Sequence, residues 1–293
     1  MCDIISAVQL FGDGICMSEV IDFHTHNFPD ALAPRAIASM VGKLHGSLVP
    51  VGDGTVATQL RAMTAAGVGK AVVCPVATKP TQFRVILDRA KALRDGEFGQ
   101  EAAERLVQLC SVHPADPDFS DHLKEIAAAG FKGVKIHPYY QGFSLDDPQV
   151  VPFFKAVRDA GLFVISHCGI DLGFVESPMT CGPAQIATLL RAVPGLTFVA
   201  AHLGGCGGNP PHAVDALLDF DNCFLDTAVV CVCDDDEEAQ RVMAEWPADR
   251  LLFATDYFWR DESFVAGWVR KFRPDPAEQE KIFSENAHRL LGL

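Results

Sequence analysis

Short apolar runs alternate along this chain with longer amphipathic stretches. Eight of the runs read as strands: residues 20–26, 70–76, 106–112, 133–136, 162–166, 196–201, 223–226 and 251–254. Helical patterning falls between them, at 31–44, 55–66, 80–94, 100–106, 118–129, 148–160, 184–192, 211–219 and 235–245. Two further helices, 264–272 and 276–291, end the chain. Gly67, Gly130 and Gly161 stand where helices should stop, and Asp118 or Ser120 where one should be capped. Residues 45–54, with Gly, Pro and valines, predict a loop or small hairpin. Strands that alternate with helices imply a parallel sheet with right-handed crossovers. Eight such units in 293 residues match the requirement of a closed barrel. The expected fold is therefore α/β, a single-domain (β/α)8 TIM barrel over residues 18–293. Residues 1–17 read as an N-terminal extension, with Met17 as a candidate native start.

An open doubly wound sheet is the rival architecture. Against it, no strand is followed by GxGxxG or a P-loop. Gly204-Gly205-Cys206-Gly207-Gly208 lacks the Lys-Ser/Thr of a phosphate loop and reads as a flexible active-site loop.

Composition narrows the partners. The chain is 49% hydrophobic with a mean hydropathy of +0.16, which fits a well-buried globule rather than disorder. A formal charge of -14 argues against nucleic acid and anionic membranes as partners and leaves the substrate open. No apolar run reaches membrane-spanning length, and the first basic residue is Arg35, so the basic start of a signal peptide is missing. A cytoplasmic protein with a small-molecule substrate is expected; a homo-oligomer is compatible with this. The ten cysteines form no paired CxxC motifs, and Cys74 and Cys110 sit inside apolar runs. They read as reduced thiols rather than a disulfide framework. Cys231-x-Cys233 reads as a strand or loop detail, and Asp234 to Glu238 as the solvated start of a helix.

The chemistry begins at Ile21-Asp22-Phe23-His24-Thr25-His26. Side chains two apart on a strand share a face, so His24 and His26 should point together, and Ile21, Phe23 and Thr25 oppositely. Two imidazoles from one strand end suit a divalent metal. In a barrel the strand C-termini share one rim, where catalytic groups gather. Lys135 and His137 end the fourth strand, His167 the fifth, His202 the sixth and Asp256 the eighth. Five of the ten histidines fall at these ends, where chance would scatter them over helices and loops. His24, His26 and His167 can hold one metal as nitrogen donors, with Asp256 as an oxygen ligand. Strands one and eight are neighbours in a closed barrel. Zinc is the first expectation for the ion and manganese the second. A bound water would fall from a pKa of about 15.7 towards about 7, and Asp256 could take its proton as general base.

The remaining candidates keep two readings each. His202 orients the water, polarises the substrate or binds a second ion; otherwise it is structural. Val134 and Ile136 should face the helices, so Lys135 and His137 should face the barrel axis. A lysine there is costly unless paired, with Asp256 or another rim carboxylate as partner. Alternatively CO2 could convert it to a carbamate bridging two metals; the unmodified lysine is favoured. His137 lines the substrate pocket or is structural. Arg260, in Tyr257-Phe258-Trp259-Arg260, binds a substrate anion or belongs to ordinary packing. Asp226 hydrogen-bonds a ligand histidine or caps the next segment of chain. His113 reads as structural, and His45, His122, His212 and His288 carry no role. A nucleophilic serine is unsupported, since no GxSxG is present.

The motifs in order resemble the amidohydrolase superfamily. These are the first-strand motif, Gly133-Val134-Lys135-Ile136-His137-Pro138, Ile165-Ser166-His167-Cys168-Gly169, Ala201-His202-Leu203-Gly204-Gly205 and Ala254-Thr255-Asp256-Tyr257. More narrowly they are similar to the amidohydrolase-related group that includes aminocarboxymuconate semialdehyde decarboxylase. Ser284 to Leu291 is similar to that group's terminal helix. The resemblance implies a metal-dependent barrel, metal binding by His24, His26, His167 and Asp256, and a catalytic His202. Thr255 departs from the serine common in the group, and the chain has no room for the superfamily's extra β-sandwich. Lys135 resembles the carbamate lysine of binuclear members, although this subgroup commonly works with one ion. The first functional expectation is a hydrolase that directs a metal-activated water at an amide, ester or lactone carbonyl. The alternative is a nonoxidative decarboxylase of a small aromatic or unsaturated acid, with Arg260 as carboxylate clamp. A catalytically silent barrel is a third reading, against which the intact ligand set speaks.

Overall fold

The computed structural model describes residues 19–44, 48–205, 209–228 and 236–293. The 1–17 extension with Met17, His45, residues 206–208 of the glycine run, Asp234 and Asp235, and the Cys231–Cys233 pair lie outside the described residues. The eight expected strands all form: β1 Ile21–Thr25, β2 Lys70–Val73, β3 Leu106–Gln108, β4 Gly133–Ile136, β5 Phe163–Ser166, β6 Phe198–Ala200, β7 Cys223–Asp226 and β8 Leu251–Leu252. All pair in parallel, β1-β2-β3 in one run and β4 to β8 in another. Two further bridges, Cys110 to Val134 and Thr25 to Tyr257, join the runs. Lys135 N donates to Cys110 O at 2.9 Å, Phe23 N to Phe253 O at 2.8 Å and Asp256 N to His24 O at 2.8 Å. The strands therefore succeed one another around a ring.

Several strands are shorter than their apolar runs because side chains take over the backbone amides beyond them. Ala77 N donates to Ser111 Oγ, Ala254 N to Thr227 Oγ1 and Thr255 N to Asp22 Oδ1. Local side-chain acceptors of this kind compete with ladder pairing. Helix ends obey the expected chemistry. Thr55 caps Val56–Ala66 and Gly67, at φ +68°, ends it. Asp236 accepts from the Glu238 and Ala239 amides at the start of Glu237–Glu245. Asp118 occupies the cap position of Phe119–Ala128, but its side chain makes no capping bond. The helix expected at 211–219 is instead a short 3-10 turn, Ala213–Leu217, because Pro210 and Pro211 precede it and His212 takes φ +64°. Among the described residues no helix is long and apolar enough to cross a membrane.

The core has two layers, read from alternate strand positions. Phe23, Val72, Phe163, Ile165, Val199, Leu252 and Ala254 cluster together, which is the barrel interior. Their neighbours Val73, Val134, Ile136, Val164, Leu225, Leu251 and Phe253 cluster with helix residues such as Leu87, Ile126 and Val157. Lys135 thus points inward, as expected. In β1 the simple alternation fails. Phe23 already faces inward, and the pairing register slips between Asp22 and Thr25. From Asp22 to Thr25 β1 takes one step more than β2 does from Ala71 to Val73, and such an extra residue turns the following side chain. His24 reaches the interior by this route, next to an inward Phe23 rather than opposite it.

The loops after β5 and β6 touch at two glycines. Gly169 has φ +83°, and a Cβ on it would lie 2.7 Å from Gly205 Cα. This contact sets His167 against His202. Gly169→Ala is expected to lower stability by about 1–3 kcal/mol from the backbone conformation alone, read as a reduced thermal midpoint. An unchanged midpoint would mean that the two loops separate in solution.

Candidate metal centre

Side chains from six strand ends meet at one mouth of the ring. His24 Nε2 lies 3.6 Å from Asp256 Oδ1, and His26 Nε2 lies 2.9 Å from the same oxygen. One ligand atom from each of His24, His26 and Asp256 falls within 4.8 Å of the others. His24 is 1% exposed and His26 20%, so the site opens on the His26 side. Lys135 Nζ stands 2.8 Å from His24 Nε2. Its hydrogen-bond partner is thus an imidazole, rather than the rim carboxylate anticipated from the sequence.

His167 groups differently. It lies with His137 and Asp171 within the same 4.8 Å limit, its ring stacked on His137 at 4.1 Å. His137 Nε2 is 3.2 Å from Asp171 Oδ2. His202 links the two groups: its ring is 4.7 Å from His167 and 5.6 Å from His24. The four expected ligands therefore split into a trio and a neighbour, with His202 between. Arg260 Nε is buried without a hydrogen-bond partner. Among the described residues no hydrogen bond or ion pair joins Arg260 to these groups. Tyr257 and Phe258, just before it, are fully buried.

Hydrogen bonds fix the tautomers. Asp226 Oδ2 takes the His24 Nδ1 proton at 3.0 Å, while its Oδ1 accepts from the His202 and Ala228 amides. Asp226 thus both hydrogen-bonds the His24 imidazole and caps the following turn. His24 Nε2 is left unprotonated, and its lone pair accepts from Lys135 Nζ. The Ala228 carbonyl takes the His202 Nδ1 proton at 2.9 Å. His202 Nε2 must then accept from His167 Nδ1 at 3.0 Å. That leaves His167 Nε2 unprotonated, and it is buried with no partner. Both imidazoles thus carry an unprotonated Nε2 with the proton held on Nδ1, as metal-ligating histidines require. That of His167 has no partner, and that of His24 faces Lys135 Nζ.

Electrostatics agree. Burial, then the Lys135 charge, brings the His24 imidazole down to about 4. Burial pushes His167 well below its ordinary value, and the neighbouring rings add to this. Burial alone would raise the Asp256 carboxyl, but His24 and His26 hold it well below the usual carboxylate range. His24 and His167 are therefore neutral nitrogen donors beside the Asp256 carboxylate, and together with His26 these residues fit a divalent cation.

Two groups escape a reading of the sequence. Asp171, in the loop after β5, comes after His167 with no motif to mark it. Asp22 lies inside the first motif, but nothing in the spacing gives it a role.

Fold and site together define a parallel α/β barrel with a His/Asp cluster at the C-terminal ends of its strands. The chain belongs to the amidohydrolase family, whose model matches residues 21–293. A search of the curated proteins finds no match. An uncharacterized TIM-barrel protein from Bordetella bronchiseptica superposes with a TM-score of 0.70 at 20% identity, covering 94% of this chain and 99% of that one. A 2,6-dihydroxybenzoate decarboxylase from Rhizobium gives 0.62 at 19%, covering 94% and 99%. A 5-carboxyvanillate decarboxylase from Novosphingobium aromaticivorans, complexed with manganese and a nitrobenzoic acid, gives 0.61 at 17%, covering 94% and 96%. At these identities the likeness establishes the barrel fold.

Proposed function

We propose that this enzyme is a metal-dependent, nonoxidative decarboxylase of a small aromatic or unsaturated carboxylic acid. The observation that favours decarboxylation over hydrolysis is the presence of decarboxylases of hydroxylated benzoic acids among its structural neighbours. An aromatic wall beside the site supports a planar substrate. Tyr140 meets His137 edge-on at 4.6 Å, and Phe174 lies 5.0 Å from Tyr140 and 5.5 Å from Tyr139.

His24, His26 and Asp256 would hold the cation, with His167 as the fourth donor. Imidazole and carboxylate donors suit zinc or manganese, and the manganese of the carboxyvanillate enzyme speaks for the latter. When bound, such an ion supplies Lewis-acid polarisation of a substrate oxygen. Asp256 rests as a carboxylate, so one of its oxygens can take an acidic proton from the incoming substrate. It returns that proton to the ring or alkene carbon as the carbon–carboxylate bond breaks. CO2 leaves, and the electron pair of the broken bond stays on the carbon that is protonated. His202 has both ring nitrogens engaged; its proposed part is to set the tautomer of His167. Lys135, unmodified, donates to His24 Nε2 and would release that lone pair to a cation, and His137 and Arg260 are the proposed substrate contacts.

Hydrolysis of an amide, ester or lactone is the second reading, and Lys135 favours it. A carbamate on Nζ, beside His24, would offer ligand oxygens to a second ion. To separate the two, the metal-loaded enzyme is offered a panel of hydroxybenzoic acids and, separately, their esters, amides and lactones in D2O. CO2 release is expected, with one deuterium in the product at the carbon that lost it. Carbonyl-bond hydrolysis without CO2 release would overturn decarboxylation.

A further inference from the structure

Behind the centre lies a buried carboxyl that the proposed chemistry does not use. Asp22 has no exposed surface. Phe23 on one side of it and Ile21 on the other turn into the barrel interior, so Asp22 faces the helix layer and cannot touch a substrate. Its Oδ1 accepts from the His24 amide at 3.3 Å and the Thr255 amide at 3.1 Å. Its Oδ2 meets Thr255 Oγ1 at 2.5 Å. Thr255 Oγ1 in turn accepts from the Tyr257 amide at 3.0 Å.

These bonds bracket Asp256. The regular ladder of β8 ends at Leu252, so the chain carrying Asp256 runs beyond it. Asp256 takes φ +59°, the left-handed region that non-glycine residues keep only where their surroundings fix it. Thr255 and Tyr257 flank it, and both are tied back through Thr255 Oγ1 to Asp22 on β1. The same Asp22 oxygen that holds Thr255 also holds the amide of His24.

We infer that Asp22 is a positioning residue of the cation centre, stapling β1 to the Asp256 turn and so setting Asp256 Oδ1 against His24 and His26. This inference rests on the proposed cation site. Partners one shell behind metal ligands typically contribute about 10- to 100-fold to metal affinity.

Co2+ is the probe, titrated into metal-free protein and monitored by its visible absorption. Asp22→Ala and Thr255→Val should each weaken binding by about 10- to 100-fold and alter the Co2+ spectrum. Asp22→Asn and Thr255→Ser, which keep the polar link, should recover most of both. Circular dichroism of the metal-free variants checks folding. If Asp22→Ala does not fold, Thr255→Val, which removes a single hydroxyl, decides. A folded variant with wild-type Co2+ affinity and spectrum overturns the staple, while loss of Co2+ from His24→Ala/His26→Ala upholds the centre. Wild-type protein that takes up no Co2+ overturns both.

Discussion

Replacing His24 and His26 together by alanine is expected to abolish divalent-metal binding and turnover. Purified wild-type protein should carry about one tightly held ion per chain, as expected for a site with three or four protein ligands. The double variant should carry none after dialysis, measured by elemental analysis. The two positions carry different penalties. His24 is buried, and its removal strips Lys135 Nζ and Asp226 Oδ2 of their partners. Leaving such buried groups unsatisfied costs about 1–3 kcal/mol each, so His24→Ala should also destabilise the fold. His26 is the more open ligand, and its contact is with Asp256 alone among the carboxylates. His26→Ala should therefore lose metal with little change in thermal midpoint. Unchanged metal content in the double variant would remove the centre from this rim altogether.

The barrel was legible because eight apolar runs and their intervening amphipathic stretches each carry a strong local signal. The rim was legible for a related reason: strand ends are easy to place, and histidines concentrate there. What the sequence hid were features that depend on strand register and on contacts between distant segments. Strict alternation along β1 predicted Phe23 opposite His24, and only the slip between Asp22 and Thr25 brings both inward. The division of ligands into His24, His26 and Asp256 on one side and His167 with His137 and Asp171 on the other needs three-dimensional distances. The tautomers depend on the Ala228 carbonyl, an atom every residue possesses and no motif can mark. Lys135 shows the same limit. Its inward direction is readable from Val134 and Ile136, but its partner is an imidazole, which charge-pairing logic passes over. From residues alone, a metal-activated water on a carbonyl came first; the decarboxylation proposed above uses the same set of side chains.

Asp256→Asn should lower kcat by about 10²- to 10⁴-fold, the usual contribution of a positioned acid–base group, with little loss of stability. Asparagine has the same shape and tolerates the left-handed backbone that Asp256 adopts. The Asp256 amide would still donate to the His24 carbonyl, so the turn should persist. What disappears is the charge that His24 and His26 stabilise and the oxygen that carries the proton. Because Asp256 is also a proposed ligand, the rate is measured at saturating metal and compared with the metal bound. A fall in kcat at full occupancy assigns the proton to Asp256. A fall that only tracks lost metal would restrict Asp256 to holding the ion. A variant that turns over the acid within about twofold of wild type would leave the carbon to be protonated by another group, and His137, stacked against His167 and paired with Asp171, would be the next side chain to replace.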